Sequence, residues 1–206
     1  QQVVIGTQNM GKPAEIADLV KLATDTYGRV DIVVNNAGIQ HVSPVESFPT
    51  DKWDDILAIN LTSCFHLIRA TLPGMRERKW GRIINIASVH GLVASAHKSA
   101  YVAAKHGLVG LTKTVALEAA GSGVTCNAIC PGWVLTPLVQ AQIDKRARET
   151  GKPAEVAKRE LLLEKQPSGE FVKPEDLGAL AVMLASSAAA QMTGIAMPMD
   201  GGWTAQ

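Results

Sequence analysis

The chain has 206 residues, 20 of them basic and 19 acidic, for a formal charge of +1, and 47% are hydrophobic. That length fits one domain with a sizeable core, and the even charge argues against disorder, a basic nucleic-acid binder and a polybasic membrane surface. Three cysteines make an odd count and no disulfide framework, so a reducing, cytoplasmic setting is expected.

Val3 to Ile5 reads as a short strand. Pro13 to Tyr27 reads as a helix stopped by Gly28, and Val30 to Val34 as a buried strand. From Asp51 to Arg78, Trp53, Ile56, Leu57, Asn60, Leu61 and Cys64 recur at three and four, the helical period, and Thr50 or Asp51 can cap the start. Ile83 to Ile86 is the next strand. Ser99 to Ala119 is a long helix halted by Gly121 and Gly123, and Val124 to Cys130 is a strand closed by Pro131-Gly132. Thr136 to Glu164 is polar and helical, with a break near Gly151-Lys152-Pro153. Pro174 suits the first turn of a helix reaching Ser187, and Ile195 to Met199 is the last strand. The longest apolar run, Ala179 to Ala185, is too short to span a bilayer.

Strands alternating with helices of this length predict βαβ units and a parallel sheet covered on both faces. In such sheets ligands sit outside the carboxyl ends of the strands. The tails Asn35-Asn36-Ala37-Gly38, Ala87-Ser88 and Cys130-Pro131-Gly132 each put polar, Gly or Pro residues after an apolar strand. Cys126 and Cys130, four apart on one strand, share a face and read as buried apolar residues. The histidines show no metal-ligand spacing, so no metal site is assigned.

Tyr101 and Lys105 are four apart in a helix and share a face. A phenol is too weak an acid to serve as a base at neutral pH, and an adjacent ammonium favours the phenolate. The pair can therefore act as a general acid/base on a hydroxyl or carbonyl. Ser88 could hold the same oxygen, and Asn60, polar within an apolar stripe, could hold a water that passes protons to Lys105. Each alone has a plain reading: a chance pair, a capping serine, an asparagine bonded to nearby backbone. The conjunction, in this order, carries the chemistry.

With Asn35-Asn36-Ala37-Gly38, Asn60, Ser88, Tyr101-Val102-Ala103-Ala104-Lys105 and Pro131-Gly132, the sequence resembles the short-chain dehydrogenase/reductase family. The resemblance implies a Rossmann-like, doubly wound parallel sheet in three α/β/α layers and hydride transfer with a nicotinamide. It implies Tyr101 as acid/base, Lys105 as its pKa-lowering and ribose-binding partner, Ser88 on the substrate oxygen and Asn60 in the relay. Asn36, Ala37 and Gly38 would flank the cofactor with Pro131 and Gly132, and Val134 and Thr136 would meet its carboxamide and phosphate end. A narrower likeness, carried by Ala87 to Ser95, Lys98 to Tyr101, Cys126 to Val134 and Glu164 to Pro167, is to the branch of that family acting on short 3-hydroxy acids. It implies NAD as cofactor and oxidation of (R)-3-hydroxybutyrate to acetoacetate. Gln40, His90, Lys98 and Gln142 would surround the carboxylate, with Trp133 on the apolar side. A cation and neutral donors beside an acid/base tyrosine suit a short anion. The resemblance also implies a homotetramer, with no nucleic-acid or membrane partner.

The chain departs from the family at its beginning. No Gly-x-x-x-Gly-x-Gly follows a strand, and Asn9-Met10 stand where an adenine-binding Asp is usual. The first two strands of the family's sheet are expected to be absent from this chain, leaving Val3–Ile5 unpaired and Val30–Val34 as an exposed edge. The 206 residues thus read as one N-terminally incomplete domain, 1–206, with a candidate lid at 136–164. The competing readings are a catalytically inactive structural or interaction subunit of the same fold and a reductase of another small carbonyl.

Overall fold

The computed structural model describes residues 2–205, with Leu138 by its backbone alone. The helices are α1 (Pro13–Tyr27), α2 (Thr50–Leu57), α3 (Ser63–Glu77), α4 (Ser99–Glu118), α5 (Pro137–Thr150), α6 (Ala154–Leu163) and α7 (Pro174–Ala185). The strands are β1 (Ile32–Asn35), β2 (Gly81–Ile86), β3 (Val124–Pro131) and β4 (Ala196–Met199), all parallel in the order β1-β2-β3-β4. Val33 pairs with Ile83, Ile84 with Asn127 and Ala128 with Ala196.

The alternation of β2 sorts its side chains between two layers. Ile83 packs with Val33 and Cys126 against Ile68 and Leu72 of α3 and Val115 of α4. Ile84 turns to the other face, against Ile129 and Leu184 of α7. Because both central strands are covered on both faces, β3 is buried along its whole length. Burying each such aliphatic side chain contributes about 1.5–3 kcal/mol. A polar thread crosses one layer: Asn35 Nδ2 donates to Asn85 Oδ1 at 2.7 Å, and Asn85 Nδ2 to Thr112 Oγ1 on α4 at 2.8 Å. Cys126 and Cys130 are buried free thiols whose pKa values burial pushes up to about 12 and about 11.

Three findings correct the sequence expectations. Val3–Ile5 is not a strand; Val3 is 77% and Ile5 83% exposed, because no neighbouring strand supplies hydrogen bonds to an extended segment there. The helix expected over Asp51–Arg78 is continuous in direction but contains a π-helical turn, Ala58–Thr62, with Asn60 fully buried inside it. The stretch Thr50–Glu77 is also long and apolar enough to cross a bilayer by length and composition, which a count of unbroken apolar runs misses. Packing accounts for that character, since Ile56 lies against α4 and Cys64, Ile68, Leu72 and Met75 are buried in the core. The exposed edge is as expected: Ile32 is 45% and Val34 49% exposed on the face of β1 opposite Val33.

Candidate functional site

Beyond the carboxyl ends of β2 and β3 lies a cavity of about 280 Å³. Ile86, Ala87 and Ser88 reach it from β2, and Pro131, Gly132 and Trp133 from β3. Tyr101 and Lys105 enter from the first turns of α4. The register that aligns β2 with β3 therefore brings together residues more than forty positions apart in sequence.

Two glycines make the close approaches. A Cβ on Gly91 would lie 2.9 Å from both the Lys105 carbonyl oxygen and Val109 Cγ2, so only glycine lets the turn after Ser88 sit on α4. A Cβ on Gly132 would lie 2.4 Å from Gln166 Oε1. That oxygen accepts the Trp133 N–H at 2.8 Å, and the Gln166 Nε2 donates to the Glu170 carbonyl. Gln166, fully buried, thus fixes the turn that presents Trp133. Its partner lies 33 positions away, and nothing local in the sequence marks it.

Lys105 is only 4% exposed; its Nζ donates to the Ile86 carbonyl at 2.7 Å and lies 5.6 Å from the centre of the Tyr101 ring. Burial draws its pKa down to about 8. Burial pushes the Tyr101 phenol up, with the Ser88 hydroxyl pulling the other way. Desolvation of the phenolate thus dominates the Tyr101 shift and works against the lowering expected from Lys105, a cost that residue spacing cannot reveal.

Asn60 spends its amide on backbone. Its Oδ1 accepts the Ile39 N–H and its Nδ2 donates to the Ile39 carbonyl, both at 2.9 Å. The amide thus clamps the loop after β1 to the π-helical turn, the backbone role that the plain reading of this asparagine gives. Ile39 and Gly38 line the cavity; Asn60 and Ala37 do not.

Gln40, His90, Lys98, Trp133 and Gln142 all line the same cavity, as do Asn36, Val134 and Thr136 from the cofactor set. Lys98 Nζ lies 5.1 Å from the centre of the Trp133 ring, and burial lowers its pKa. His90 lies between two serines: Nδ1 faces Ser88 Oγ at 3.3 Å and Nε2 faces Ser95 Oγ at 2.9 Å. Its pKa falls to about 4, first through burial and then through Lys98, which leaves the ring neutral at pH 7.

Trp203, at the carboxyl end, stacks edge-on against His90 with ring centres 5.4 Å apart and lies 5.6 Å from Trp133. Asp200 locks this tail by accepting the Gly202 N–H at 3.0 Å and the Thr204 N–H at 2.8 Å. Trp203 is a wall of the cavity that no local sequence pattern marks. Thr136 caps α5 by accepting the Val139 N–H at 3.3 Å, and α5 with α6 forms a helical hairpin beside the opening. Among the described residues, no group of three or more His, Cys, Asp or Glu side chains could hold a metal ion.

A family model described as enoyl-(acyl carrier protein) reductase matches residues 2–204. The chain is 65% identical to the D-beta-hydroxybutyrate dehydrogenase of Cupriavidus necator over 96% of its length and 77% of that protein. It is 57% identical to the protein of the same name from Rhizobium meliloti, with the same coverage. A 3-oxoacyl-(acyl-carrier-protein) reductase of Vibrio cholerae is 37% identical over 94% of this chain and 75% of that protein. Among solved structures, levodione reductase superposes with a TM-score of 0.88 at 33% identity, covering 96% of this chain and 76% of that one.

Proposed function

The chain belongs to the short-chain dehydrogenase/reductase family, and from that premise we propose that it transfers a hydride between NAD and a short 3-hydroxy acid, interconverting (R)-3-hydroxybutyrate and acetoacetate. One observation carries the reading: a single cavity gathers Ser88, Tyr101 and a buried Lys105 with the cation of Lys98 and the ring of Trp133. The two D-beta-hydroxybutyrate dehydrogenases, at 57% and 65% identity, support the substrate.

The family implies a nicotinamide dinucleotide, and the residues present fit its nicotinamide and ribose half. Lys105 is a buried cation with three N–H donors, one of them on the Ile86 carbonyl, so donors remain for ribose hydroxyls. Gly38 stands beside this ammonium, at a position whose Cβ would lie 3.9 Å from Lys105 Nζ, ordinary contact distance. Asn36, Pro131, Gly132, Val134 and Thr136, all lining the cavity, would complete the cofactor side. When bound, the nicotinamide accepts or donates the hydride.

Tyr101 removes the hydroxyl proton in oxidation and returns it in reduction. Burial raises the Tyr101 pKa and the Ser88 hydroxyl opposes it, so oxidation, which needs the phenolate, gains as pH rises. Ser88 donates a hydrogen bond to the reacting oxygen. Lys98, with Gln40 and Gln142, faces the carboxylate, a charge-assisted contact that an uncharged alcohol cannot make. Asn60 positions the loop at Ile39. Closing the α5–α6 hairpin, the segment 136–164, excludes water from the transfer.

The test is NAD reduction followed spectroscopically with (R)-3-hydroxybutyrate, its (S) enantiomer and 2-butanol. Turnover confined to the (R) acid is expected. Equal turnover of 2-butanol would remove the carboxylate from recognition, and activity with NADP alone would overturn the cofactor assignment.

A further inference from the structure

We infer that Gln166 is a positioning residue for substrate selectivity: by holding the Trp133 backbone it fixes where the indole wall of the cavity stands, and so the length of acid the site accepts. The acid here is the short 3-hydroxy acid of the proposed function, on which this role rests.

The partners of the Gln166 amide fix its orientation, because a backbone N–H can only donate and a backbone carbonyl can only accept. Oε1 therefore accepts the Trp133 N–H at 2.8 Å, and Nε2 donates to the Glu170 carbonyl. Two residues further on, the Val172 N–H donates to the Trp133 carbonyl at 2.9 Å. Trp133 is thus held from both sides by one closed ring of hydrogen bonds, and the Gln166 side chain makes two of the three. The ring is itself anchored. The Gln166 N–H donates to the Leu162 carbonyl at 2.7 Å, in the last turn of α6, and the Ser168 N–H donates to the Gly201 carbonyl at 3.0 Å, in the tail that carries Trp203. Gln166 is fully buried, so loss of its amide would leave two backbone groups unpaired.

The indole has no polar anchor of its own. Among the described residues, Trp133 Nε1 is buried without a hydrogen-bond partner. The ring packs against Trp203, with centres 5.6 Å apart, and under Lys98 Nζ, 5.1 Å from its centre. Its place is therefore set by the backbone that carries it. In a cavity of about 280 Å³ that the acid shares with the nicotinamide, the place of this wall decides whether further methylenes enter. Ser88 and Tyr101 stand elsewhere, after β2 and on α4, so a displaced wall leaves the reacting groups where they are.

The test compares Gln166→Met, which keeps the length of the side chain and loses both amide bonds, with Gln166→Glu. For each variant kcat and KM are measured with NAD and either (R)-3-hydroxybutyrate or (R)-3-hydroxypentanoate, and the preference between the acids is read against wild type at the same pH. Gln166→Met should weaken the preference for the shorter acid about tenfold, through KM, with kcat for hydroxybutyrate changed less than about twofold. In Gln166→Glu the protonated carboxyl restores both bonds, its carbonyl oxygen accepting and its hydroxyl donating, whereas the carboxylate has no donor for Glu170. A buried carboxyl keeps its proton well above the ordinary range, so this variant should match wild type at about pH 6 and Gln166→Met at about pH 9. An unchanged preference in Gln166→Met overturns the inference, and so does an equal loss with both acids, the mark of a merely structural role. Should Gln166→Met fail to fold, Gln166→Glu decides alone, and a preference that stays constant with pH overturns the inference. A last measurement needs no substrate. The Nε1–H NMR signal of Trp133, assigned with Trp133→Phe, should move in Gln166→Met while those of Trp53 and Trp80 stay in place, and an unmoved signal overturns the hold of Gln166 on the indole. A wild type that leaves hydroxybutyrate untouched would fail the functional reading while that signal still reports the hold.

Discussion

The floor of the cavity and the hairpin beside it are built on different terms. The floor joins the ends of β2 and β3 to α4, where Ile84, Ile129, Cys130, Ala104 and Leu108 are all essentially inaccessible to water. The α5–α6 hairpin buries Val139, Ile143, Ala157 and Leu162. Its other ties are half-exposed ion pairs, Arg146 to Glu164 at 2.8 Å and Lys152 to Glu160 at 2.5 Å. Groups that must hold a proton to within a few tenths of an ångström stand on the packed region. The hairpin, proposed above as the cover, stands on the weakly tied one, as low local stability allows.

Substitutions in the floor should therefore act on chemistry and substitutions in the hairpin on access. The largest effect is expected from Tyr101→Phe. Turnover should fall about 10³-fold or more, with NAD affinity by calorimetry nearly unchanged. Appreciable residual turnover would remove Tyr101 from proton transfer.

Acid stability should distinguish the two regions next. His90 titrates at about 4 in the fold against an ordinary 6.5, so its folded pKa is depressed. Its contribution is complete above pH 6.5 and is lost as the pH falls through about 4, because the unfolded chain binds the proton first. Across that window the loss is about 3 kcal/mol. Urea midpoints measured from pH 7 downward should show it, and His90→Gln should flatten part of the slope.

Lys98→Ala, at the boundary between the regions, should raise KM for hydroxybutyrate about 10- to 50-fold, the cost of one hydrogen bond to a charged group. An uncharged secondary alcohol should be affected far less, and equal effects would contradict the carboxylate contact. The smallest effect belongs to Arg146→Ala. An exposed ion pair contributes at most about 1 kcal/mol, so kcat should hold while KM rises two- to threefold and proteolytic cleavage of the hairpin quickens. A large loss of kcat there would erase the contrast between floor and cover.

Most of the fold was legible because proline and glycine punctuate it. Pro13, Gly28, Pro174 and the Gly151-Lys152-Pro153 break mark helix ends to within a residue or two of where they lie. The gathering of Ser88, Tyr101, Lys105, Lys98 and Trp133 was legible too, since a parallel sheet brings its strand tails to one end. The rest depends on contacts that local pattern does not encode. Val3–Ile5 has a strand's composition but no partner. The direction of the Tyr101 shift follows from desolvation by distant packing, and the clamp of Gln166 on Trp133 from a fold-back across 33 positions. Asn60 gave a partial signal: a polar residue inside an apolar stripe was anomalous, and the anomaly marks the π-helical turn.

That turn bears on which sequence changes this helix can absorb. A π-helical turn takes up one residue more than the α-helical path it replaces. Loss of a single codon between Ala58 and Thr62 would let the turn relax to ordinary α-helical winding with the two halves near their present orientation, at the cost of the Asn60 clamp on Ile39. The same loss a turn or more away would rotate one half against the other by about 100°, taking Trp53 and Ile56 off α4 or Ile68 and Leu72 off the sheet. The helix thus has one place where a one-residue deletion is absorbed.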